Sequence, residues 1–510
     1  MSRPDTLTWF AGHELRLGWR DWLSMMTAGR RSRARTVAIA LVIFAVFMHL
    51  LAWSMVGRYA DAGIMPDKAT LVVVTGTLLL SWSLLLSQAM ESVTRAFYAR
   101  SDLDLILTAP VNPRKVFSVR ITRIAGSVAL IAVFLAAPFI NVLAVLGGPR
   151  WLAAYGVVAA MGTLAAALAV ALTIALFRAI GAKSTRLVAQ IVAAVIGAAF
   201  VIGLQVAAIL SYGNLSRFSV LQSDWLIARA PAISSALYWP ARAVLGDSAA
   251  LIAVMVVSVV LLGLSIAIFA GNFGNHVVAA AGVSNSVVRQ RRWQLGFRRR
   301  PAARALRHKE WTLLRRDPWL MSQTLMQILY LLPPALLLWK SFQGGASAIV
   351  VLVPVVVMAA GQLGGGLAWL SISGEDAPDL VATAPITARR ILWAKIEAVM
   401  GAIAMVFAPF IFAVAFASVW AALVAGSGAL IAAASATLVQ LCFRTQARRS
   451  QFRRRQTSSR IATFAEAFSS IAWAAAAALT AAGTWLALFP AVIAVAILAG
   501  VKWISPPNHA

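Results

Sequence analysis

Long apolar runs broken by short charged stretches organise the chain from end to end. A helix crosses a hydrocarbon core of roughly 30 Å with about 20 residues, each advancing about 1.5 Å. On that scale the runs predict spans near 36–56, 70–90, 122–147, 151–177, 187–211 and 248–271, and again near 322–340, 347–371, 397–423, 428–443, 461–481 and 484–500. Only Ala482 and Gly483 part the last two. The pattern therefore predicts an all-α, polytopic helical membrane protein of about twelve transmembrane helices in two related six-helix halves.

The polar interruptions carry a repeat. Residues 101–121, SDLDLILTAPVNPRKVFSVRI, align without a gap on residues 376–396, DAPDLVATAPITARRILWAKI. Asp104 matches Asp379, Leu105 matches Leu380, and Thr108-Ala109-Pro110 matches Thr383-Ala384-Pro385. Arg114 then meets Arg389, Lys115 meets Arg390, and Arg120 meets Lys395. Each copy begins with acid, passes a proline and ends in base, which suits a short segment at a membrane surface leading into the next span.

A second resemblance lies upstream of each copy. Residues 14–23, ELRLGWRDWL, and 310–320, EWTLLRRDPWL, both place an acid seven residues before a second acid and mix charge with tryptophan, as amphipathic interfacial helices do. Interfacial helices are expected at about 6–28 and 308–320. The chain divides into a first half, 1–271, a basic linker, 272–307, and a second half, 308–510.

Composition agrees with the pattern. The chain is 61% hydrophobic and 12% charged, against roughly half and about a quarter in soluble proteins. The formal charge of +28 invites a nucleic-acid reading, but the basic residues follow topology. With a cytoplasmic N-terminus, only Arg58, Lys68, Arg150, Arg217, Arg229, Arg242 and Lys340 fall on the outer side, while all the others among the 45 Lys and Arg are cytoplasmic. These include the runs starting at 30, 289, 298 and 453, assigned to the lipid surface and not to nucleic acid. Both repeated segments are then cytoplasmic, as are both termini, and the expected location is the inner or plasma membrane. Residues 1–35 are amphipathic and basic without a compact apolar core, so no cleavable leader is expected. The connection 212–247, with Trp225, Trp239, Pro231 and Pro240, is expected at the outer interface, either re-entrant or lying on the surface, and has no counterpart in the second half.

Chemistry that needs converging reactive groups is missing from the sequence. The single cysteine, Cys442, excludes an intrachain disulfide and any multi-cysteine metal site. No HExxH, GxSxG or phosphate-loop string is present, since Gly181-Ala182-Lys183-Ser184-Thr185 lacks the glycine before lysine and a preceding strand. Gly361, Gly364, Gly365 and Gly366 read as a face for close helix packing. Acids inside spans are usually functional. Glu466 is the exception to their placement in loops and at span ends, and it is a possible intramembrane polar site, close enough to Arg460 to snorkel or to pair with an arginine.

Many spans, no internal energy source and two matching cytoplasmic segments call for a partner that pushes on those segments. The arrangement resembles the permease subunits of ATP-binding-cassette exporters of the second type, with two six-span halves fused. The resemblance rests on the interfacial helices, the DLDLILTAP and PDLVATAP strings after the second span of each half, and the six-span count. It implies that 101–121 and 376–396 are coupling segments on which a separate ATPase subunit docks, in two copies. The residues it assigns to coupling are Asp102, Asp104, Leu105, Pro110 and Arg114, and Asp379, Leu380, Pro385 and Arg389. ATP and Mg would bind the partner, with no cofactor and no metal in this chain. The alternatives are a gradient-driven carrier, which would use buried charge, and a non-transporting assembly scaffold.

Overall fold

The computed structural model describes residues 11–20, 34–56, 67–98, 113–212, 217–272, 301–316, 347–373, 383–443 and 460–504, with 325, 329, 332, 333, 336 and 381. All regular structure among these residues is helical. Among the described residues, ten helical stretches are long and apolar enough to cross a membrane, and Leu41–Val56 is a shorter apolar helix. Most of the expected span 322–340 lies outside the described residues, as do residues 273–300 of the linker and the arginine runs starting at 289, 298 and 453. The chain forms two compact units, Met1–Leu204 with Ser216–Arg289, and Gln205–Leu215 with Gln290–Ala510.

In the first unit, α1 (residues 11–20) precedes α2 (Ala34–Val56), α3 (Lys68–Tyr98) and α4 (Pro113–Gly147). A long helix, α5 (Ala153–Tyr212), of which the residues up to Leu204 belong to this unit, is kinked at Gly181, whose φ of 72° is a left-handed conformation that favours glycine. The kink separates the two expected spans into arms of Pro149–Gly181 and Leu187–Ser211. The Gly181–Thr185 string thus marks a helix break, with the Thr185 hydroxyl donating to the Gly181 carbonyl at 2.7 Å.

Asp67 starts α3 by accepting the Thr70 N–H at 2.9 Å, and hydrogen bonding by Thr70 holds its carboxyl below the usual range. The connection before the last span of this unit is structured. It forms α6 (Arg217–Leu221), α7 (Asp224–Arg229) and α8 (Trp239–Val244), which pack on α3. Tyr238 is buried there and donates to the Pro231 carbonyl at 3.3 Å, and Lys68 donates to the Ala228 carbonyl at 3.3 Å. Asp247 then caps α9 (Ser248–Phe269) through the Ala250 N–H at 3.1 Å and pairs with Arg242 at 2.9 Å.

The second unit contains α10 (Ala302–Arg316), α11 (Ser347–Ser373), α12 (Ala388–Ala417), α13 (Val419–Phe443), α14 (Arg460–Ala481) and α15 (Leu488–Ile504). Two boundaries differ from the sequence expectation. The interfacial helix begins at Ala302 instead of 308, because the Ala- and Arg-rich start of α10 favours helix and Pro301 lends its carbonyl to the Ala305 N–H at 3.0 Å. Spans nine and ten part at Ser418, not near 424–427. Ser418 is extended at φ −159° and its hydroxyl accepts the Ala421 N–H at 3.2 Å, capping α13. Gly426 and Gly428 lie inside α13, where the hydrogen of Gly428 leaves room for Val357 and Ala477.

Small residues let backbones approach in both units. On α13 the alanines at 421, 422, 425, 429, 432, 433 and 436 are all buried. In the first unit a Cβ on Gly162 would lie 2.6 Å from the Ala129 Cα, so α4 and α5 cross backbone to backbone. Gly162→Val should therefore lower stability by about 1–3 kcal/mol, seen as a reduced Tm of the purified protein in detergent, whereas Gly203→Val, with open space around it, should leave Tm nearly unchanged.

Candidate functional site: the flanks of the repeated segments

Helices α3 and α11 precede the two segments, and α4 and α12 follow them. Residues 99–112, 374–380 and 382 lie outside the described residues, and α12 opens at Ala388 directly after Thr387.

Asp102, Asp104, Leu105, Pro110, Asp379 and Leu380 lie outside the described residues. Pro385 is exposed, in a turn where the Ile386 N–H donates to the Ala384 carbonyl at 2.7 Å. Thr387, extended at ψ 138°, then accepts the Arg390 N–H at 2.9 Å to open α12. Arg389 and Arg390 are exposed in the first turn of α12, and Arg114 and Lys115 are exposed at the same place on α4. The Arg114 guanidinium lies beside Gly271, 3.6 Å from where a Cβ would sit. Neither first turn contains an acid. Cations there oppose the helix dipole at a cost of roughly 0.3–1 kcal/mol each, so the dipole does not account for their placement.

Sequence reading missed what holds these helix starts. In the first unit the buried carboxylate of Glu14, on α1, pairs with Arg123 of α4. In the second, the fully buried Glu310 of α10 pairs with Lys395 of α12, with Nζ 3.2 Å from Oε1 and 3.3 Å from Oε2. Lys395 also donates to the Ser371 carbonyl at the end of α11, and Lys309 lies 3.3 Å from Glu310 Oε1. Glu14 and Glu310 are the acids that align between the interfacial helices. Lys395 aligns with Arg120, and Arg123 is one turn further along the same face of α4. The device therefore occurs in both units, shifted by a turn in one.

Two contacts add to the joint in the second unit. Arg307 pairs with Glu397 at 2.7 Å, with both side chains about half exposed. The Trp311 ring packs on Gly401, 3.1 Å from where a Cβ would be. Gly401 matches Gly126 in the repeat register, although nothing fills the space above Gly126.

Glu466 belongs to a separate polar node. It accepts the Gln440 Nε2 hydrogen at 2.7 Å, so its partner is a neutral amide on α13 and not an arginine. The carboxyl presses against Gly365 of α11, where any Cβ would collide with it, and Ser470 one turn along meets Gly361 in the same way. The glycine face predicted to permit close packing thus receives an acid and a serine from antiparallel α14. Nearby, Trp473 donates to the Ser435 hydroxyl at 3.0 Å. Among the described residues no group of His, Cys, Asp or Glu could hold a metal ion.

These elements define a polytopic, all-helical membrane protein whose polar segments recur as a pair in its sequence. A family model described as "Putative ABC exporter" matches residues 33–314, more than half of the chain, and the chain belongs to that family. A transport role follows from this membership. No curated protein and no solved structure matches the chain.

The ion pairs should differ sharply in weight. Glu310→Ala strands Lys395 beside a buried gap and should cost about 3–5 kcal/mol, whereas Arg307→Ala removes an exposed partner and should cost at most about 1 kcal/mol. Thermal unfolding in detergent, read as a large Tm drop for the first and a small one for the second, checks the ranking.

Proposed function

We propose that the chain is the permease subunit of an ATP-driven exporter. It moves substrate from the cytoplasm or inner leaflet outward, between spans of both halves, while ATP is hydrolysed by a separate subunit. Two copies of that subunit dock on the segments 101–121 and 376–396. The observation that supports this reading is the matching pair of exposed bases, Arg114 with Lys115 and Arg389 with Arg390, which follow the two repeated segments in first turns without an acid.

The roles follow from the residue types. Asp102, Asp104 and Asp379 offer carboxylates to a partner, Pro110 and Pro385 stiffen the turn, Leu105 and Leu380 supply an apolar contact, and Arg114 and Arg389 provide cations at the helix starts. ATP and Mg bind the partner. Closure of two partner domains on ATP would draw the segments together and rock the helices they begin. The exposed faces of spans such as α9 contact lipid. With both termini in the cytoplasm of a cell whose inner or plasma membrane holds the protein, the basic excess faces the anionic leaflet.

Replacing Pro110 and Pro385 together, or Asp104 and Asp379 together, should reduce recovery of the ATPase subunit on co-purification at least about tenfold, about 1.4 kcal/mol of binding. Yield and monodispersity of the permease should stay unchanged. Full recovery of the partner with both double variants would remove the docking role.

A further inference from the structure

We propose that Glu14 and Glu310 are positioning residues of the transport cycle. Each fastens its interfacial helix to the helix that begins at a coupling segment, so that displacement of the segment carries the interfacial helix with it. This inference rests on the coupling reading above.

Three observations and one physical argument carry it. The two acids are equivalent in the repeat and both are buried. Each pairs across two helices with a base on α4 or α12, near the end that follows the segment. A buried carboxylate that loses its base is left uncompensated in a poorly solvating site, so relative sliding of the two helices is resisted far more strongly than at an exposed pair. The second joint is also tied to α11, the helix that enters the segment, because Lys395 spans the Glu310 carboxylate and the Ser371 carbonyl. One ammonium thus gathers the helix before the segment, the helix after it and the interfacial helix.

Packing acts in the same sense. Trp311, the neighbour of Glu310, lies on the bare backbone at Gly401, less than two turns beyond Lys395. The interfacial helix is therefore held to α12 at two levels, one ionic and one steric. Its outward positions, such as Ala303, are exposed and free to report its movement.

The test uses the full chain co-purified with its ATPase subunit in nanodiscs, in a Cys442→Ser background. Spin labels are placed singly at Ala303→Cys on α10 and Thr387→Cys at the start of α12, both exposed positions. Spectra are compared without nucleotide and after trapping with ATP and vanadate. Both labels should respond to ATP. In Glu310→Gln the Ala303 response should fall at least about threefold while the Thr387 response persists. The charge exchange Glu310→Lys with Lys395→Glu should restore it, and Arg307→Ala should leave it unchanged. If Glu310→Gln cannot be purified, the exchange variant decides, because it keeps opposite charges at the joint and should retain both responses.

An unaltered Ala303 response in Glu310→Gln, or a lost Ala303 response in a well-folded exchange variant whose Thr387 label still moves, overturns the positioning role alone. Absence of any ATP response at Thr387 in the unaltered complex overturns the coupling reading, and this inference falls with it.

Discussion

Hydrocarbon provides no hydrogen-bond partners, and that constraint governs the protein. Every backbone amide in a span must be satisfied inside its helix, so the chain can change direction only at surfaces or where a specific residue manages the break. Gly181 and Ser418 are two such places, one through a left-handed backbone and the other through its hydroxyl cap. Polar side chains obey the same rule. Glu466 finds Gln440, and Glu14 and Glu310 find bases, while many serines and threonines return their hydroxyls to the preceding turn, as Thr173 and Thr437 do.

Because lipid tails are as apolar as leucine, burial of apolar surface does little to hold the helices together, and close packing takes its place. The alanine face of α13 and the glycine face of α11 show how this is done in one unit, and the Gly162 crossing shows it in the other. Helix α9 is the opposite case. It is apolar on every side and offers most of its surface to its surroundings. Large side chains of this helix such as Val259 and Ile252 are exposed, while in the cores Phe117 and Phe407 are buried beside the small residues.

The helices themselves were legible because twenty-residue apolar runs have few other physical meanings. The repeat was legible because polar residues between such runs are scarce enough for a match to stand out. The break at Ser418 was hidden, since no charge interrupts the chain from 398 to 443 and Gly426-Ser427-Gly428 looks more like a turn than a packing face. The ion pairs were hidden for another reason. Glu14 and Arg123 are 109 residues apart, Glu310 and Lys395 are 85 apart, and no local pattern links them. The partner of Glu466 escaped because charge directs attention to arginine, whereas a dry helix contact is equally served by an amide.

The single turn that separates the bases of the two joints has a geometric meaning. Arg123 stands three residues beyond the position equivalent to Lys395, about 4.5 Å along the helix axis. The two ion pairs therefore stand at different distances from the repeat-matched residues Arg114 and Arg389. One continuous polypeptide can carry such a difference between its halves, whereas two copies of a single shorter chain would share one sequence at both places.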